Sequence, residues 1–144
     1  MLRRWLVGVC LYFTVCGLIP KAVEDSIRRD LLSAVAERVW RLCEPPWFFP
    51  PEEDQPLRGR TKLNVSPSPE ETRERQGSPE PDDLETLVEL LCAWSARYDV
   101  AWVVDIDGRW LGRITGRKCG WCLARRIGAT ADALRRKWRA AGSA

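Results

Sequence analysis

Two short stretches carry side chains that could do chemistry. Val103-Val104-Asp105-Ile106-Asp107-Gly108 runs an apolar segment into two carboxylates, an arrangement that can set a nucleophile and a proton carrier at the mouth of a strand. Lys118-Cys119-Gly120-Trp121-Cys122 opens an amphipathic segment with a CxxC pair beside Arg117, where a helix dipole and neighbouring cations favour a thiolate. Histidine is absent from the 144 residues. That excludes Ser-His-Asp and Cys-His activation, HExxH zinc binding and an imidazole proton shuttle.

Over Val103 to Asp107 the first stretch resembles the opening motif of haloacid dehalogenase-type phosphatases, which implies a parallel sheet and, further along the chain, a lysine and another acidic pair. Only 37 residues follow Asp107, and they contain no second acidic pair. Asp-Gly between two apolar runs is also a hairpin signal, because both central residues of that turn take positive φ. The pattern therefore predicts a hairpin. The second stretch resembles the active-site turn of thioredoxins over Cys119 to Cys122, but that fold needs a later cis-proline and no proline follows Pro81. The same thiols have three non-catalytic uses. Cys119 or Cys122 can enter a disulfide, the two can join Cys92 and Cys43 in a structural zinc site of four thiolates, or all can stay free and buried.

Charge is strongly segregated within a net of only +3. Arg109 to Ala144 holds ten Lys or Arg against Asp132 alone, whereas Pro45 to Leu90 holds eleven acids against five bases. A basic C-terminal region points to an anionic partner: a protein face, a membrane surface or nucleic acid. Eight tryptophans and a preference for Arg over Lys hint at a GC-rich or overlapping gene of the kind a compact viral genome carries.

The elements that must position these residues follow from periodicity. Residues 1–22 begin with Arg3-Arg4 and an uncharged run from Trp5 to Ile19. As a helix that run spans about 22 Å, short of the roughly 30 Å hydrocarbon core, so it reads as a signal peptide cleaved after Gly17 or a membrane anchor, with a buried helix as the alternative. Residues 23–43 show a helical stripe of Ile27, Leu31, Val35, Val39 and Leu42. Residues 44–81 hold nine of the ten prolines and many acids, the composition of a disordered linker, with a glycosylation sequon at Asn64. Residues 82–144 read as a small folded unit. Asp82 and Glu85 form a capping box before a stripe of Leu84, Leu87, Val88, Leu91, Trp94 and Tyr98; the hairpin follows; a basic helix closes the unit with Leu123, Ile127, Ala131, Leu134 and Trp138 on one face.

The resulting expectation is a mainly α chain with a small β-hairpin: helix, disordered linker, then helix, hairpin and basic helix. Its function reads as that of a non-enzymatic accessory protein, in the secretory pathway or on a membrane, that binds a partner through Trp110, Trp121, Arg125, Arg126, Arg135, Arg136, Trp138 and Arg139. The alternative is a cytoplasmic or nuclear nucleic-acid-binding regulator using the same basic region. No small-molecule substrate and no cofactor beyond the optional zinc is expected, and a small CxxC redox protein stands third.

Overall fold

The computed structural model describes residues 9–74 and 81–143. Among them are a six-stranded antiparallel sheet and four helices, so the fold is α+β rather than the mainly α arrangement expected. The strands are β1 (Val9–Val15), β2 (Trp47–Phe48), β3 (Arg58–Leu63), β4 (Ala101–Ile106), β5 (Arg109–Thr115) and β6 (Lys118–Cys119). The helices are α1 (Lys21–Ala36), α2 (Pro69–Glu74), α3 (Asp83–Tyr98) and α4 (Trp121–Gly142). The sheet order is β2-β3-β1-β4-β5-β6.

The segment expected as a signal peptide or anchor supplies β1, which pairs with β3 on one side and β4 on the other. Cleavage after Gly17 would remove a central strand. The physical reason is residue type: Val9, Tyr12, Phe13, Thr14 and Val15 are β-branched or aromatic and suit a pleated surface better than a helix. Alternation was hidden because both faces of this strand are largely apolar. No helix among the described residues is long and apolar enough to cross a membrane. Residues 1–8, which include Arg3, Arg4 and Trp5, lie outside the described residues.

The segment expected as a disordered linker contains β2, β3 and α2, while its residues 75–80 lie outside the described residues. In Arg58-Gly59-Arg60-Thr61-Lys62-Leu63 the inward positions are Gly59, Thr61 and Leu63, all buried. Gly and Thr do not read as core, so the period of two was masked. The prolines flank this strand at Pro56 and Pro67 rather than interrupt it. Asn64 donates its side-chain amide to the Arg41 carbonyl at 3.1 Å, so the sequon asparagine is already part of the packing.

Helix α1 stops at Ala36, short of the expected end at Cys43. Two amides beyond it, those of Arg41 and Leu42, donate to Asp83 Oδ2 at 2.6 Å each and turn the chain inward. Asp82 occupies the N-cap of α3 without capping it. Its carboxylate instead meets Arg38 Nη2 at 2.7 Å. Helix α4 is continuous through Gly128, and the Thr130 hydroxyl donates to the Arg126 carbonyl at 2.9 Å.

All three long helices contribute to one core with the inward strand residues. Ile27 and Leu31 of α1, Leu84, Leu87, Leu91 and Trp94 of α3, and Leu123, Ile127, Ala131 and Leu134 of α4 pack with Leu11, Phe13, Val15, Leu63, Trp102, Val104, Ile106 and Ile114. Phe13, Phe48, Trp94 and Trp102 form an aromatic centre with ring centroids 5.5 to 6.3 Å apart. Gly59 is the glycine that this packing requires, since a Cβ there would meet Phe13 Cζ at 2.6 Å and Phe48 Cδ1 at 2.8 Å. The inward side chains of β1, β3 and β4 are buried against the helices, while Tyr12, Thr14, Arg58, Arg60, Lys62, Val103 and Asp105 alternate with them and stay half or fully exposed. One face of the sheet therefore carries the helices, and no described helix covers the other.

Candidate functional site

The uncovered face takes its pattern from strand register. Directly paired residues on antiparallel strands project on the same side, about 5 Å apart. Arg60 pairs with Trp47 of β2 and with Tyr12 of β1, and the row continues through Asp105 to Trp110. A neighbouring row joins Arg58, Thr14, Val103 and Arg113. Lys62 pairs with Cys10 at the end of β1. Four cations thus share the face with Asp105, whose Oδ2 already accepts the Gly108 amide at 2.8 Å, and exposed Glu44 stands beside Lys62, its amide donating to the Lys62 carbonyl at 2.8 Å.

Aromatic rings lie between those cations. Phe49 follows β2, its amide donates to the Arg58 carbonyl at 2.9 Å, and its ring lies parallel to Tyr12 at 6.4 Å. Trp47 meets Phe49 at 4.8 Å. The Arg58 guanidinium lies 4.2 Å from the Tyr12 centroid, and that of Arg60 lies 4.8 Å from Trp47. Both are 5.6 Å from Phe49. Among the described residues, Arg58, Arg60, Lys62 and Arg113 make no ion pair. The charges of Arg58 and Arg60 are held over rings, with hydrogen-bonding capacity left over for an incoming anion.

The C-terminal residues singled out from sequence divide into two groups. Arg135 is committed to the fold: it reaches Glu85 at 2.9 Å, Asp132 at 2.8 Å and the Pro81 carbonyl at 3.0 Å, with 14% of its side chain exposed. Arg126 donates to the carbonyls of Trp110 at 3.0 Å and Leu111 at 3.3 Å, covering part of the β5 edge that β6 is too short to pair. Trp138 is half-buried against the core. Trp110 and Trp121 are 54% and 72% exposed, Arg125 lies 5.3 Å from the Trp121 ring, and Arg136 and Arg139 are exposed on α4. Sequence reasoning missed Tyr12, Trp47, Phe49, Arg58, Arg60 and Lys62. The available signal was the Arg-x-Arg-x-Lys alternation of β3.

The thiols are not brought together as a four-sulfur site. All six cysteines are free, and among the described residues no three His, Cys, Asp or Glu side chains converge on a metal position. Burial pushes the Cys43 thiol up to about 12, partly opposed by its hydrogen bond with Thr61. Burial also raises Cys92, with Glu89 adding to the effect, and Cys119, where Cys92 adds to it. Cys119 lies in β6, ahead of Gly120 at the N-cap of α4, so the expected depression by a first-turn position does not occur. Cys122 is exposed in the first turn.

The carboxylates of the opening motif are used in the hairpin. Asp107 and Gly108 form the two-residue turn at φ +48° and +87°. Asp107 also binds the start of β1: Oδ1 accepts the Cys10 amide at 3.2 Å, and its own amide donates to the Cys10 carbonyl at 3.1 Å. Comparison with protein-family models, curated proteins and solved structures gives no match to this chain.

Proposed function

We propose that this chain is a non-enzymatic binding protein whose uncovered sheet face engages an anionic partner. The observation that carries the reading is a set of cations without a carboxylate ion pair, Arg58 and Arg60 laid over the Tyr12, Trp47 and Phe49 rings with Lys62 and Arg113 on the same face. The hairpin roles of Asp105 and Asp107 support a non-catalytic assignment, since both carboxylates have structural partners. Arg125 and Arg136 of α4 offer a second, weaker basic surface, because there no comparable group of aromatics accompanies them.

A second reading is peripheral attachment to an anionic membrane, including membranes of the secretory pathway. It draws on Trp121, largely exposed and 5.3 Å from the Arg125 guanidinium, a pairing of residue types suited to a membrane interface. Salt-graded elution of the full chain from heparin tests the first reading. Retention should fall sharply in Arg58→Gln/Arg60→Gln/Lys62→Gln and persist in Arg125→Gln/Arg136→Gln. Equal retention of the wild type and the β3 triple variant overturns it, and loss only in the α4 double variant moves the site to the helix.

A further inference from the structure

Resting on the proposal of an anion-binding sheet face, we propose that the ligand is single-stranded nucleic acid, with bases stacked on Tyr12 and Trp47 and phosphates held by Arg58, Arg60, Lys62 and Arg113. Charge alone would suit any polyanion. What narrows the class is the alternation of rings and cations along the register. Trp47, Arg60 and Tyr12 stand in one row on three adjacent strands, so the two rings are separated by a cation and by roughly 10 Å, two strand spacings. A flexible strand can lay successive bases on such rings while its backbone passes the intervening guanidinium.

The ring faces are now occupied by planar cations, Arg58 at 4.2 Å over Tyr12 and Arg60 at 4.8 Å over Trp47. A base has the same flat shape and gains more from stacking than an exposed guanidinium gains from the ring. Binding therefore exchanges partners: the base takes the ring and the freed guanidinium pivots to a phosphate. Both halves of the exchange are favourable only if the ligand carries an accessible π-face and a negative charge within one side-chain length. A duplex hides its bases, an acidic protein face supplies no regular planar groups, and a bilayer headgroup supplies charge without stacking. The surface distinguishes strandedness better than sequence, because every base has a π-face and, on the Trp47–Arg60–Tyr12 row, Asp105 is already held by the Gly108 amide.

The test is fluorescence anisotropy of the full chain with labelled dT and U oligomers of twelve nucleotides, a duplex of the same length, and anionic phosphatidylserine vesicles as competitor. Four phosphate contacts predict that single-strand affinity drops about 50-fold between 50 and 200 mM salt, from a log-log slope of about −0.7 per phosphate. Trp47→Leu should weaken single-strand binding about tenfold or more without changing that slope or heparin retention, and Tyr12→Leu should do the same. The β3 triple variant should instead flatten the slope. Preference for U over dT assigns RNA, and equal affinity assigns either strand. Duplex binding as tight as single-strand binding overturns the inference, as do Trp47→Leu and Tyr12→Leu variants that keep full affinity, or vesicles that displace the oligomer while the aromatic variants bind normally. In each of those cases intact, β3-dependent heparin retention leaves the anion-binding reading standing, whereas its loss in the wild type removes both.

Discussion

Two neighbouring aspartates meet the same guanidinium and should differ greatly in what they contribute. Asp83 is fully buried; its Oδ1 lies 2.6 Å from Arg38 Nη2, and its Oδ2 accepts the Arg41 and Leu42 amides at 2.6 Å each. Asp82 lies 2.7 Å from the same Arg38 nitrogen, but 65% of its side chain is exposed. Asp83→Ala leaves two inward backbone amides without their acceptor, at about 1–3 kcal/mol each. Breaking a buried ion pair costs about 3–5 kcal/mol in full, but here Arg38 is a quarter exposed and keeps Asp82, so the charge contribution belongs at the lower end or below it. The combined loss should be about 4–6 kcal/mol, a large part of the roughly 5–15 kcal/mol that holds a typical domain together. Asp82→Ala should cost about 1 kcal/mol or less, as exposed pairs do. Its hydrogen bond to Arg38 holds the Asp82 carboxyl below the ordinary value. The small stability it adds is therefore present at neutral pH, is lost as pH falls through the acid range, and should be missing from the Asp82→Ala profile. Urea unfolding followed by tryptophan fluorescence measures both variants. An Asp83→Ala protein within about 1 kcal/mol of wild type, or an Asp82→Ala protein that loses as much as Asp83→Ala, would refute the assignment of the loop anchor.

At the hairpin, Asp107→Asn should be nearly neutral, because Asn-Gly suits the turn and Asn Oδ1 can still accept the Cys10 amide; Gly108→Val should cost about 1–3 kcal/mol in the same unfolding assay. Nothing lies within 4 Å of a Cβ at Gly108, so the cost is conformational, arising from φ +87°, and a neutral Gly108→Val would contradict it. Cys43, pushed up to about 12 by burial, keeps its proton in the folded chain while the unfolded thiol loses it near 9. Its contribution is thus present below the unfolded value and lost as pH rises toward the folded one, at about 1.4 kcal/mol per pH unit. The Cys43→Ala variant should show a shallower alkaline decline, and in the native wild type iodoacetamide should label exposed Cys16 and Cys122 well before Cys43.

The elements legible in the sequence were those whose buried residues are large and regularly spaced. Leu84, Leu87, Leu91 and Trp94 gave α3, Leu123, Ile127 and Leu134 gave α4, and Asp107-Gly108 gave the hairpin. Strands β1 and β3 were hidden for opposite reasons. Cys10 and Tyr12 make the outward face of β1 look like core, whereas Gly59 and Thr61 make the inward face of β3 look like surface. Gly59 is needed because Phe13 and Phe48 fill the space a side chain would occupy, a demand that arises only after distant elements pack. The uncovered face was hidden with them. Arg58, Arg60 and Lys62 sit in a region of net negative charge, so regional charge directed attention to α4, two of whose arginines serve the fold. Tyr12 and Trp47 become neighbours of Arg60 only through pairing between segments far apart in the chain.

The position of β1 also sets an order of events during synthesis. Leu11 emerges from the ribosome before either partner, Thr61 following only after α1 has been made and Ile106 only after α3. Until β3 is made this segment is an apolar strand with both edges unsatisfied, and the sheet can close on it only when β4 is available. Folding must therefore be late and dominated by distant contacts, which makes it slow and leaves the nascent chain prone to mispairing. A ribosome stalled before Ile106 would hold a chain in which α1 and α3 have been made, with α4 still to come and no completed sheet to receive them.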